Sequence, residues 1–310
     1  MGILQFDSRK VYFDGVGTEI TGTQKTEQAI KLSGLDYTVQ KEPLYLGNGK
    51  QVEDIYANVR TDTGDVIGKV GKNYTVVQNQ EAFDFLDSLV DGGANIVNAG
   101  SIKNGQTSYI VAETEPMKIL GDEFKPYILF TNSFDGGTSI QAMFTPIRVF
   151  CSNCYVAATK QAQNKITIKH SKNAKDNLYI ARDTLLQNTK YLEYLKKRSE
   201  ELALEKFTSQ QFEASLDEFI PGLHAEEGII RERAEQLRQV VMNAYNAEDL
   251  RNYNDSIYKA IMAMADVDSH KESIRNTKNE FVFMQRVMGG MVMLNQYAQL
   301  LQKRTGTIIF

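Results

Sequence analysis

The chain has 310 residues, 42% of them hydrophobic and 24% charged, and a net charge of −4. That balance belongs to a folded globular chain long enough for one large domain or two ordinary ones, and it excludes both wholesale disorder and a protein that coats nucleic acid by global charge. Cys151 and Cys154, the only cysteines, cannot build a disulfide framework. The opening stretch MGILQFDSRK lacks the basic-then-apolar order of a secretory signal, and the apolar runs are far shorter than a membrane span, so a soluble cytosolic protein is expected.

Residues 1–20 read as a loose arm or an edge strand. A short helix is predicted over 26–35, capped by Thr26, lined by Ala29, Ile30 and Leu32, and ended by Gly34. Alternating apolar residues then predict strands over 37–46, 55–60 and 66–70, with turns at Gly47-Asn48-Gly49 and Asp62-Thr63-Gly64-Asp65. A helix over 79–90 follows from the spacing of Ala82, Phe83, Leu86 and Leu89, and Gly92-Gly93 stops it. Two strand pairs come next. Residues 96–102 and 107–114 flank Asn104-Gly105, and residues 127–134 and 138–150 flank Asp135-Gly136-Gly137.

The stretch 138–175 changes character three times. It is strand-like to Phe150, helical over 154–162, and basic from Lys160 to Lys175 with no Asp or Glu in that last segment. Beyond it the apolar period shifts to about 3.6. Helices are predicted over 177–204, 208–219, 226–247, 250–267 and 277–303, the second opening on a capping box of Thr208 or Ser209 with Gln211 and Glu213. Pro221 is the one proline after Pro146, which suits unbroken helices. The fold class is therefore α+β. An antiparallel-rich sheet with β-hairpins fills the N-terminal half, and a helical lobe fills the C-terminal half. Residues 1–175 form a β-rich core and 176–310 a lobe packed on it.

No catalytic motif stands out. Cys151-Ser152-Asn153-Cys154 has no second ligand pair for zinc and reads as two small residues at a strand-to-helix corner, with Ser152 or Asn153 as cap. The three histidines are scattered, the paired carboxylates of the helices read as solvated faces, and no phosphate loop occurs. An enzyme is not expected, and no cofactor or metal is implied. Asp266 and His270 read as a helix-surface pair at i and i+4. Methionines 262, 264, 284, 288, 291 and 293 read first as adaptable core and second as an oligomer or partner surface.

The basic segment carries the strongest functional signal. Lys160, Lys165, Lys169, Lys172 and Lys175 follow Arg148, and Lys165, Thr167 and Lys169 share one face of a short strand whose other face takes Ile166 and Ile168. Such a row suits a nucleic-acid backbone, with Tyr155 placed to stack on a base. Charge alone fits an edge strand protected from aggregation by lysine somewhat better.

Several blocks carry a family likeness. Gly68 to Phe83 reads GKVGKNYTVVQNQEAF, Gly34 to Val39 reads GLDYTV ahead of Pro43-Leu44, and Thr145 to Asn153 reads TPIRVFCSN. Together they resemble the phage/plasmid-like protein family, a prokaryotic domain of unknown function carried on bacteriophage and plasmid genomes, over roughly residues 27–290. The resemblance implies a phage or plasmid accessory protein in the bacterial host cytoplasm. Its layout, a hairpin sheet followed by a long helix, is similar to that of phage single-strand annealing proteins, an analogy at the level of fold. The resulting expectation is a protein that binds single-stranded DNA in recombination or replication, itself a candidate homo-oligomer. The alternative is a modulator of a host or defence protein, acting by protein contact through the helical lobe.

Overall fold

The computed structural model describes residues 17–22, 25–148, 165–174, 176–178, 189–270 and 292–309. The N-terminal half is built from antiparallel strands, and helices fill the C-terminal half, so the fold is α+β. In chain order the elements are β1 (Thr18–Glu19), α1 (Thr26–Leu32), β2 (Val39–Tyr45), β3 (Gln51–Arg60) and β4 (Val66–Gly71). Then come α2 (Asn79–Phe83), α3 (Asp87–Asp91), β5 (Asn95–Ile102), β6 (Thr107–Glu113), β7 (Met117–Ile119), β8 (Asp122–Ser133), β9 (Ile140–Arg148) and β10 (Lys165–Ile168). The lobe holds α4 (Thr189–Leu204), α5 (Ser209–Phe219), α6 (Ile229–Tyr245), α7 (Ile257–His270) and α8 (Val292–Thr305).

Two sheets result. The larger has the order β1-β5-β6-β8-β9-β10, with β7 paired to β8, and the smaller is β2-β3-β4. Every pairing is antiparallel. The expected hairpins are present, and one was missed. Leu120 (φ 52°) and Gly121 (φ 92°) turn β7 back onto β8, which starts at Asp122 instead of Tyr127. The helix predicted over 79–90 is interrupted by a 3-10 turn at Asp84–Leu86, yet Ala82, Phe83, Leu86, Leu89 and Val90 all stay buried. Thr26 does not cap α1 with its side chain. Its backbone N–H instead donates to the Asp87 carboxylate at 2.8 Å, so one helix is closed by the start of another. Leu32, expected to line α1, points to solvent at 60% exposure.

Each half has its own apolar core. The first packs Ala29, Ile30, Phe83 and Leu86 against sheet residues such as Ile110 and Phe130, and it reaches Ile168, Ala174 and Leu178. The second gathers the lobe around Phe212, Tyr245, Tyr258, Ile261 and Leu294, and takes in Ile119 and Phe124 from the β7–β8 hairpin. The 12-residue β8 therefore enters both cores, Phe124 in the lobe and Ile128 and Phe130 beneath the sheet. The predicted capping box on α5 is formed, with Thr208 N–H donating to Gln211 at 2.8 Å and Gln211 N–H donating to Thr208 Oγ1 at 3.2 Å. Asp268, buried on α7, accepts the Leu294 N–H at 3.0 Å and so closes the first turn of α8. No helix among the described residues is long and apolar enough to cross a membrane.

Candidate functional site

The smaller sheet meets the larger one at a close backbone crossing. A Cβ on Gly68 of β4 would lie 1.9 Å from the Phe134 carbonyl oxygen, and one on Gly136 would lie 2.3 Å from the Lys69 carbonyl oxygen. Only glycine permits that approach, which brings β4 and the β8–β9 turn together. Along this contact runs a seam of buried amides. Asn58 Nδ2 donates to the Phe134 carbonyl at 2.7 Å, and Asn132 Nδ2 donates to the Val77 carbonyl at 3.0 Å and to Asn79 Oδ1 at 3.1 Å. Asn79 Nδ2 donates in turn to the Leu35 carbonyl at 3.0 Å. All three asparagines are at most 1% exposed, and among the described residues Asn58 Oδ1 and Asn132 Oδ1 have no hydrogen-bond partner.

The segment 71–83 supplies most of the rest. Gln78 pairs with β2 as a strand would, donating Nε2–H to the Val39 carbonyl at 2.8 Å and accepting the Val39 N–H at 3.0 Å. Tyr74 donates its hydroxyl proton to the Ser133 carbonyl at 3.0 Å, and burial raises its pKa. Lys41 reaches over from β2, donating to the carbonyls of Lys72 at 2.6 Å and Tyr74 at 3.2 Å above the ring of Tyr56. Its own burial lowers its pKa. Asp135 opens the β8–β9 turn. Burial works to raise its pKa, but donors from Thr138 and Gly137 outweigh that and hold it below the ordinary carboxylate value.

His170 joins the basic segment to this seam. Its ring stacks on Tyr74 with centroids 4.8 Å apart and planes 19° off parallel, and its carbonyl accepts the Thr75 N–H at 3.2 Å. The alternation expected of the strand is observed, with Ile168 buried and Thr167 and Lys169 exposed. β10 is the edge of the larger sheet, pairing Lys165 with Met143 and Ile168 with Ile140. Lys169 and Lys172 therefore emerge on either side of a fixed histidine. Arg148 lies at the other end of β9, opposite Phe124 and five residues beyond Met143, or roughly 17 Å along the strand. Tyr155, Lys160 and Lys175, with Cys151, Cys154 and the helix expected over 154–162, lie outside the described residues.

A family model described as a domain of unknown function, DUF932, matches residues 66–288. The chain belongs to this family. No curated protein and no solved structure matches it. The DUF932 match begins at Val66, the first residue of β4, so it takes in the crossing at Gly68, the 71–83 segment, His170 and the lobe through α7. β2 and β3, with Lys41 and Asn58, precede it.

Sequence reasoning missed the seam. The available signal was an amide within apolar strand sequence, Asn58 in IYANVR and Asn132 in YILFTNSF, since an asparagine there must find partners if it turns inward. In the sequence His170 is one more member of a basic run, although its place two residues after Ile168 puts it on the buried side of the strand's alternation. Met262, Met264 and Met293 are buried in the lobe core, the first of the two readings given to the methionines. Asp266 is half-buried with an interaction of its own.

Proposed function

We propose that this DUF932 chain is a phage or plasmid accessory protein that binds single-stranded DNA in recombination or replication, in the manner of single-strand annealing proteins and without chemistry of its own. One observation carries the reading. Lys169 and Lys172 are exposed on a segment that the His170–Tyr74 stack and the Thr75–His170 hydrogen bond fix to the fold, and neither makes an ion pair among the described residues. A lysine serving only to discourage edge pairing needs no such anchor. Two cations held at fixed spacing lose less side-chain and backbone freedom on meeting phosphates than cations on a loose tail.

In this reading the phosphates follow the β10 edge from Lys169 and Lys172 past Lys165. Lys160 and Lys175 add cations, and Arg148 marks the far end, roughly 30 Å from Lys169 at strand spacing. Tyr155 supplies the stacking face. Binding of this kind reads charge and an unpaired base and has no requirement for sequence.

Fluorescence anisotropy with a labelled single-stranded oligonucleotide tests it. Wild type should bind at low salt and weaken steeply as salt rises, and Lys169→Glu/Lys172→Glu should bind at least about tenfold more weakly at unchanged thermal stability. Equal affinity of the two proteins, or binding indifferent to salt, would overturn the proposal.

A further inference from the structure

His170 adds an anchor to the segment that carries Lys169 and Lys172, which the β10–β9 pairing and the burial of Ile168 and Ala174 also hold. His170 is 8% exposed, and among the described residues neither Nδ1 nor Nε2 makes a hydrogen bond of full geometry. Its fixed contacts are the face of Tyr74 and the backbone of Thr75. Among the described residues the charged groups around it are few. Asp135 in the β8–β9 turn favours the imidazolium, and Lys41, with its ammonium on the 72–74 carbonyls, together with Lys169 and Lys172 on the same segment, adds only positive charge.

We infer that His170 is a proton-operated latch. Its neutral ring docks the 165–174 segment against Tyr74, and its imidazolium releases it. A charged ring in the docked position has water on almost no side and only the Thr75 backbone and the Asp135 charge to favour it, whereas in the released segment it is fully solvated. Burial accordingly pushes the docked pKa below the ordinary histidine value, against the opposing pull of the Thr75 backbone and Asp135. The released ring titrates near about 6.5. Because the docked pKa is the lower of the two, docking is favoured in full above the released ring's value and is progressively lost as pH falls from there towards the docked one. Released, the two lysines lose their fixed spacing.

The consequence for nucleic acid rests on the function proposed above, and it has an unusual sign. Acidification makes an anionic protein less negative, which by itself strengthens binding to phosphates. The latch makes acid weaken it.

Amide hydrogen exchange at pH 7.5 and 5.5, corrected for the intrinsic rate, reads the latch without any ligand. Protection of the Thr75 amide and of amides in 165–174 should fall by several-fold, up to about tenfold, for one linked proton across that interval. His170→Phe, which keeps a ring on Tyr74 but cannot titrate, should show no such fall. An equal fall in both proteins, or none in wild type, would overturn the latch. Should the variant fold poorly, the ring resonances of wild type decide. A His170 that titrates at the ordinary histidine value contradicts the inference, and one that stays neutral to lower pH supports it. Oligonucleotide affinity at the same two pH values separates the two proposals. A working latch with no binding at pH 7.5 leaves the latch standing and removes the nucleic-acid reading.

Discussion

Asn132 shows how much a single side chain carries at the junction of the two sheets. One amide group joins the Val77 carbonyl at the entrance to α2 with Asn79 Oδ1, and Asn79 passes the chain on to the Leu35 carbonyl behind α1. Removing it leaves a carbonyl and an amide oxygen buried without donors, each costing about 1–3 kcal/mol. Asn132→Ala should therefore lower unfolding stability by about 2–4 kcal/mol in urea titration. Lys31→Ala, which breaks only an exposed i,i+4 pair with Glu27, should change it by less than about 0.5 kcal/mol. Equal effects from the two would show that the seam is not a source of stability. Residues of this kind were the least legible ones. Apolar patterning locates a strand, but nothing in the run around Asn132 says that its amide turns inward to meet a segment some fifty residues earlier.

Among the elements, β4 has the tightest requirement. Gly68 sits where the strand crosses Phe134, and a methyl group there forces the strand away from the β8–β9 turn and pulls Asn58 from the Phe134 carbonyl. Gly68→Ala should cost about 3 kcal/mol, the upper end of ordinary overpacking. Gly47→Ala, with open space around the added carbon, should be near neutral by the same denaturation measurement. A neutral Gly68→Ala would mean that the sheets are not in backbone contact. Elements with local causes were readable from sequence. Asn104-Gly105 turned β5 into β6, and Thr208 with Gln211 opened α5. Elements with distant causes were not. α1 takes its cap from Asp87, and β8 extends back to Asp122 because β7 pairs with it, across a turn that lacks an Asn-Gly or Asp-Gly signal.

Over the whole molecule, β8 couples a sheet-side core to a helical lobe, and the family match spans both. The α+β class was legible because the hydrophobic period changes from two to 3.6 across the basic segment. The proposed interface was legible only as a charge run, because the anchor that gives it shape, His170 on Tyr74, joins residues nearly a hundred positions apart. The salt dependence of oligonucleotide binding is the most direct measurement of that interface. Each cation that meets a single-strand phosphate contributes about 0.7 to the slope of log affinity against log salt, so Lys169→Ala/Lys172→Ala should reduce the slope by about 1.4. An unchanged slope, whatever the affinity, would mean that these two lysines never touch the phosphates and that the account of the site is wrong.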